Sequence, residues 1–541
     1  MKHIFQVLLK EKTGVSRENT PLQFGIPLPS GQFFNPRELE LTTGKETVLP
    51  CQVSVTAQWP DNSIKWCLVK SLVNLPANQQ LELTLCRKTN NSIALPKIPD
   101  LIKETDTDIT VNTQNCQFTL NKKRFNFLEQ VLKDGHELVG RGFFSLKLNQ
   151  NNLTKTRITG FQYQTFSSDA VPVSCEVLFN GVFDTDDDEL IANFEAHLTF
   201  FIATDTVKCS ITLHNPKAAL HTAGKWDLGD PNSLFFSSFS IDLGLNQANK
   251  IEWKTEQDDN WKALDQSSLM IYQGSSGGKN GNSPVHKNRF NKLSVDMQGF
   301  VCLSGTEQLS HGQRANPSIS IKNNSGRINI FVEKFWQNFP KSLGIEDGTA
   351  KIGLFPEQFI DGFELQPGEK KTHHLYLNFE EDSNALAQFT LPLEVSLNPE
   401  WIERCKVFPN FQLSQADDPL QMIISQGLTS PDNFFNKREK IDEYGWRNFG
   451  DIFADHETDG YQGEELFISH YNNQYDPIYG FLRQYALTGN NQWFELADDL
   501  ARHVVDIDIY HTEYDKEEYN GGLFWHTDHY LDAGTSSHRS Y

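Results

Sequence analysis

The sequence predicts a multidomain protein of β structure followed by α structure. Residues 1–95 form a small barrel-like or sandwich-like β unit, 96–395 a large antiparallel β-sandwich, and 396–541 a helical domain. Three observations predict this. Up to about residue 395 apolar residues recur with period 2 between Gly, Asn, Asp and Pro turns, and beyond it the period becomes 3.6. A chain of 541 residues also exceeds what one core supports, and the usual domain size suggests about three domains.

In the first unit, Val53, Val55, Ala57 and Trp59 alternate with polar residues up to Pro60-Asp-Asn-Ser63, and Ile64, Trp66 and Leu68 resume the alternation. That is a hairpin signature. Gln79–Leu85 predicts a further strand, and the Pro-containing polar stretch from Lys88 to Asp100 closes the unit. In the second, His197–Ala203, Val207–Leu213 and Lys371–Leu377 read as strands of an antiparallel sandwich. Two long connections, His214–Asp230 and Gln273–Arg289, are rich in Gly, polar and basic residues, and loops of that length within a compact domain are more often functional than not. In the third, Ile478, Phe481, Leu482 and Tyr485 mark a helix stopped by Gly489. After Asn490-Asn491 a second helix carries Trp493, Leu496, Ala497, Leu500 and Val504, giving an αα-hairpin. Such hairpins stack into bundles, solenoids or toroids. The last motif runs into the chain end without a stop signal, so a fragment of a longer protein is expected.

The formal charge of −22 argues against sequence-independent nucleic-acid binding or adsorption to an anionic membrane. The eight cysteines are scattered, with no C-x-x-C pair and no zinc-ligand spacing, and read as small core side chains; a disulfide among Cys51, Cys67 and Cys86 stays open. The start lacks the apolar stretch and cleavage site of a signal peptide, and no segment nears the roughly 20 apolar residues that span a bilayer. A cytoplasmic location is the expectation. Oligomeric state is not legible.

Chemically capable side chains are densest at the end of the chain. Seven of the 16 histidines lie between His456 and His538, interleaved with aromatics and carboxylates. A sugar-binding cleft uses such residues for stacking, hydrogen bonding and proton transfer.

Several motifs together carry a family resemblance: Trp59–Trp66 in the first domain; Gly224–Asp230, Tyr272–Gly278 and Phe335–Lys341 in the second; and Tyr444–Asp451, Asp455-His-Glu457 and Tyr519–Tyr541 in the third. With them the chain resembles the exo-rhamnogalacturonan lyases of polysaccharide lyase family twenty-six and their bacterial relatives. The resemblance implies a RIFT-related β-barrel, a β-sandwich and a C-terminal α/α toroid, incomplete in this chain. It also implies exo-acting β-elimination on a rhamnogalacturonan-like polysaccharide or oligosaccharide.

Elimination from a uronate asks for a cationic or hydrogen-bonding group on the C5 carboxylate, a base for the C5 proton and an acid for the departing O4. Arg447 is a candidate carboxylate clamp, with an ion pair to Asp451 or Asp455 an equal alternative. His526 and His529, three apart, share a face if helical; with Tyr530 and His538 they are candidates for base and acid, the alternative being a hydrogen-bonded structural cluster. Arg539 is a candidate carboxylate ligand or a helix-terminal cation. His214, Lys225, Trp226, His286, Lys287 and His456 are candidate substrate-binding residues, with the two sandwich loops forming one wall of a cleft against the helical domain. Each loop cation is by default solvated.

Against this stands the segment 451–520, with 16 acidic side chains and three basic ones, a field that repels a polyuronate unless most carboxylates face away. No cofactor is required by this chemistry, although Asp455, Glu457, Asp506 and Asp508 offer oxygen ligands for Ca²⁺. Two other readings stay open. One is a glycoside hydrolase of α/α architecture using carboxylates among Asp455, Glu457, Glu464 and Glu465; the other is a non-catalytic carbohydrate-binding protein keeping Trp226, Trp446, Trp493 and Trp525.

Overall fold

In the computed structural model the described residues are 3–44, 47–88, 101–149, 152–164, 172–220, 228–245, 248–257, 259–264, 266–413, 418–454, 468–470 and 475–522. The first unit is built from a five-stranded and a three-stranded sheet around Val7, Leu9, Ile26, Leu41, Val69 and Leu85, all fully buried. The expected hairpin is present: Cys51–Gln58 pairs with Ile64–Leu75, and Trp59 N–H closes the turn on the Ser63 carbonyl at 2.8 Å. Asn62 takes φ +64° there, a left-handed conformation that Asn tolerates better than most residues. The expected strand near Gln79–Leu85 is Gln80–Arg87, and it pairs with His3–Lys10.

The last strand of the five-stranded sheet comes from far along the chain. Glu394–Leu397 pairs antiparallel with His3–Lys10, so the sheet is completed only after the whole sandwich has been traversed. Helix α2 (Pro399–Cys405) follows directly, while α1 (Ala387–Thr390) precedes that strand. Asn398 caps α2 by accepting from Trp401 N–H, and Pro399 at its first position suits the helix start. Trp401 packs 5.5 Å from Phe5, and its indole N–H donates to the Pro27 carbonyl at 2.8 Å.

The second unit is an antiparallel β-sandwich of an eight-stranded and a nine-stranded sheet, flanked by a five-stranded sheet over 102–139. The three strands read from sequence appear as Leu190–Phe201, Thr206–His214 and Lys370–Asn378, neighbours in the nine-stranded sheet. Along Leu190–Phe201 every second side chain from Ala192 onward is buried, the period the sequence displays. The interior is dense in Phe, with Phe118, Phe179, Phe183, Phe194, Phe200, Phe239, Phe355 and Phe379 all nearly inaccessible. All eight cysteines are free, which closes the option of a disulfide among Cys51, Cys67 and Cys86.

Beyond α2 the described helices are α3 (Pro419–Thr429), α4 (Phe434–Ile441), α5 (Pro477–Thr488) and α6 (Asn491–His503), with a π-helical turn over Val504–Asp508. The αα-hairpin of α5 and α6 turns at Gly489, φ +65°, and closes on Phe481, Trp493, Leu496 and Leu500. No helix among the described residues is long and apolar enough to cross a membrane.

Candidate functional site at the sandwich–helix seam

The segment 442–451, which leaves the C-terminus of α4, is where the sandwich and the helices meet. Asp442 ends α4 in the left-handed region, φ +55°, and this turn aims its buried carboxylate into the sandwich. There it accepts from the Ser276 hydroxyl and lies 2.6 Å from His286 Nε2. Asn280 donates to the Glu439 carbonyl at 2.8 Å, and Arg314 donates to both Glu439 carboxylate oxygens at 2.8 and 2.9 Å. The loop Gln273–Arg289 is thereby fastened to α4. From the other side, Gly445 N–H donates to Gln337 O and Trp446 N–H to Phe339 O, while the rings of Trp336 and Tyr444 meet at 4.8 Å, tilted by 55°, beside the Arg314 guanidinium. Three motifs distant in sequence, Tyr272–Gly278, Phe335–Lys341 and Tyr444–Asp451, thus form one seam.

A cavity of about 100 Å³ opens at this seam, lined by His286, Lys287, Phe339, Glu364, Trp446 and Arg447. It shares Asn288, Phe359, Asp361 and Glu364 with a wider groove of about 840 Å³ whose far wall carries Phe235, Arg289, Phe290 and Ile360. Arg289 lies 4.0 Å over the Phe235 ring and 4.8 Å over Phe290, and Phe290 is 63% exposed, a combination of π faces and charge suited to an anionic sugar. Burial pushes the Glu364 carboxyl above the usual carboxylate range, with Arg447 opposing.

Of the residues expected from sequence to act together, His286, Lys287 and Arg447 meet at this cavity. Their roles differ from the expectation. His286 is buried and committed to Asp442, because a left-handed helix end places a carboxylate against it, so it holds the loop in place. Arg447 donates to the Glu364 carbonyl and lies 3.3 Å from the buried Glu369 carboxylate, so among the described residues its ion-pair partner is not Asp451 but a sandwich residue 78 positions away. Its Nε is buried and makes no hydrogen bond among the described residues. His214 lines none of these cavities: its Nε2 donates to the His511 carbonyl at 2.7 Å, and burial lowers its pKa to about 4. It ties the end of a sandwich strand to the segment after the π turn. Lys225, Trp226, His456, His526, His529, Tyr530, His538 and Arg539 lie outside the described residues, as do Asp455 and Glu457.

Sequence reasoning missed a second cluster, set behind the seam. Asp451, His470 and His503 are buried together with Glu443 and Asp508. His470 Nε2 lies 3.0 and 3.1 Å from the two Glu443 oxygens and 3.8 Å from Asp451 Oδ2, and His503 Nε2 lies 3.4 Å from the same Asp451 oxygen. Burial works against charge on His470, but Asp451 and Glu443 outweigh it and raise its pKa to about 9. The one sequence signal was Gly450, inside the Tyr444–Asp451 motif. Its φ is +104°, and an added Cβ would run into the Asp499 carbonyl and lie 3.0 Å from His503 Cβ. Only Gly lets Asp451 approach α6 so closely. Of the four expected Ca²⁺ ligands, Asp506 is instead taken up by the Thr372 N–H and hydroxyl, both at 2.8 Å.

Beside His503, a cavity of about 320 Å³ separates α6 from the sandwich, lined by Lys341, Lys371, His373, Arg502 and Asp506 among others. Burial lowers Lys371 to about 8, with Asp506 opposing.

Comparison with known proteins adds a family. Residues 8–84 match the model of the PcRGLX-like N-terminal RIFT barrel domain, a domain of the rhamnogalacturonan exolyase family. Residues 8–84 are therefore a PcRGLX-like RIFT barrel domain. The match begins within the strand His3–Lys10, whose sheet Glu394–Leu397 completes, and spans the hairpin Cys51–Ser71. No curated protein sequence matches. Among solved structures, an α-mannosidase from Enterococcus faecalis V583 aligns over 73% of this chain and 46% of its own length, with TM-score 0.33 and 9% identity. A putative aldose 1-epimerase from Escherichia coli K12 aligns over 51% of this chain and 99% of its own, with TM-score 0.28 and 10% identity. The chain spans about half the length of the mannosidase it is compared with.

Proposed function

We propose that this protein is a polysaccharide lyase that cleaves a uronic-acid-containing, rhamnogalacturonan-like glycan by β-elimination, acting from a chain end. One observation carries the reading. The chain combines a PcRGLX-like N-terminal RIFT barrel with a cavity lined from three further motifs of the resemblance, by Leu228, by Phe339 and by Trp446 with Arg447, which adjoins an aromatic-edged groove carrying Arg289. Chemically, a positive or hydrogen-bonding group holds the C5 carboxylate, a base removes the C5 proton, the C4–O4 bond breaks as the C4–C5 double bond forms, and an acid delivers a proton to O4. Lys287 and Arg447 line the cavity, and Arg289 and Lys147 line the groove beside it. His526, His529, His538 and Tyr530 are proposed for proton transfer, with Lys225, Trp226, His456 and Arg539 proposed on the substrate. The helical region is proposed as part of an α/α toroid.

A glycoside hydrolase is the second reading, favoured by Glu364, a half-buried carboxyl held above its usual range in the cavity that Asp361 also lines. A panel of uronic-acid polysaccharides decides between them. The lyase reading expects a rise in ultraviolet absorbance from the new double bond on rhamnogalacturonan, reduced about 100-fold or more by His526→Ala, His529→Ala or His538→Ala in whichever residue is acid or base. New reducing ends without that absorbance give the case to the hydrolase. Wild-type rates in all three folded variants remove these histidines from the mechanism.

A further inference from the structure

The buried cluster behind the seam is drawn from four separate places in the chain. Glu443 follows the end of α4, Asp451 follows Gly450, His470 lies on the short strand Ser469–His470, and His503 is the last residue of α6. Glu443, Asp451 and His470 are each fully inaccessible and His503 is 1% exposed. One ligand atom from each of Glu443, Asp451 and His470 fits within 4.8 Å of the others. Asp451 Oδ2 and His503 Nε2 are buried without a hydrogen-bond partner among the described residues, and each faces the interior of the cluster. A buried carboxylate oxygen left in that state is costly, and the usual remedy is a paired charge or a metal.

The spacing is informative. A tetrahedral ion with bonds of 2.0–2.2 Å to nitrogen and oxygen sets its ligands roughly 3.3–3.5 Å apart. In the cluster the edges are 3.0–3.1 Å for His470–Glu443, 3.8 Å for His470–Asp451 and 3.4 Å for His503–Asp451. These three edges bracket the tetrahedral value; His503 stands 3.4 Å from Asp451 but outside the set of atoms mutually within 4.8 Å, so its ring has to swing toward Glu443 and His470 to complete the shell. Asp508 Oδ1, 3.6 Å from His503 Nε2, stands beside that histidine as an outer carboxylate.

We propose that Glu443, Asp451, His470 and His503 form a binding site for a divalent transition-metal ion, with zinc the best fit. The donor set selects the ion: two imidazoles with two carboxylates suit Zn²⁺ and its neighbours, whereas Ca²⁺ takes six to eight oxygens and no imidazole. Two carboxylates also balance the charge of a divalent cation in a site closed to water. The site is structural in kind, since four protein ligands leave no position open. It clamps the Tyr444–Asp451 segment to α6 and to the strand Ser469–His470, fixing the wall that carries Arg447. This inference is independent of the lyase reading, because metal content is read without substrate.

The test uses the full chain purified without a metal-affinity tag. Elemental analysis is expected to find about one equivalent of zinc. Dialysis against chelator should lower the melting temperature, and added Zn²⁺ or Co²⁺, but not Ca²⁺, should restore it. Co²⁺ should give the intense visible bands of a four-coordinate site. Asp451→Asn and Glu443→Gln, checked for folding by circular dichroism, should each lose affinity by about 100-fold or more, beyond the loss usual for an outer-shell partner. His311→Gln, on an exposed strand away from the cluster, should bind as the parent does. The proposal is overturned if the purified protein holds no stoichiometric metal and the chelator-treated protein binds neither ion, or if both cluster variants bind zinc undiminished.

Discussion

Arg447 and His286 show how a side chain's chemistry is legible while its commitment is not. Both types suit a uronate site, yet each is largely engaged by a carboxylate from a distant part of the chain, Glu369 and Asp442. Sequence spacing placed Asp451 and Asp455 near Arg447 because they are close in the chain, and ion pairs in folded proteins answer to space. His214 yields a pH prediction. Burial lowers its folded pKa to about 4 from the ordinary value of 6.5, so the unfolded chain binds the proton first as pH falls. Its contribution to stability is complete above about pH 6.5 and is lost as pH drops toward 4. Melting temperatures of the parent and His214→Gln should therefore diverge at neutral pH and converge near pH 4; parallel curves would show that the histidine is not buried neutral.

At the scale of elements, the hairpins were the most legible. Trp59–Trp66 announced a β-turn and α5–α6 an αα-hairpin because alternation, period and turn residues are local properties. The Tyr444–Asp451 segment was legible as a motif but not as a structure, since it has no regular period. Its shape comes from two glycines in the left-handed region, Gly445 at φ +92° and Gly450 at φ +104°. Gly450→Ala is expected to cost at least about 2 kcal/mol, combining backbone strain with a collision against the Asp499 carbonyl. Urea denaturation measures it; an unchanged midpoint would mean that the segment shifts freely and that Asp451 is not held against α6.

For the whole molecule, the strand Glu394–Leu397 and α2 return to the N-terminal barrel after some 300 intervening residues and complete its sheet and core, which couples the stability of the two ends of the chain. Trp401→Ala should lower stability by about 3–5 kcal/mol, by removing the packing on Phe5 and the hydrogen bond to Pro27. The loss should appear in fluorescence or exchange probes of the barrel; protection lost only around α2 would show that the helix is an accessory. Part of the acidic field of 451–520 is accounted for at this scale. Asp499 meets Arg438 at 2.8 Å and Lys334 at 3.2 Å, Asp498 meets Arg502 at 2.8 Å, and Asp506 is bonded to Thr372. Asp499 binds α6 to α4 and to the sandwich, Asp506 binds the π turn to the sandwich, and Asp498 is paired within α6. The sequence by itself determined the succession of β and α structure, the hairpins, and the motif segments that matter, because periodicity and turn chemistry act over a few residues. Tertiary structure alone decided that the barrel borrows a strand from residue 394, that Leu228, Phe339 and Trp446 from three separate motifs line one cavity, and that Glu443, Asp451, His470 and His503 meet. Those outcomes depend on pairings across tens to hundreds of residues, which no local pattern encodes.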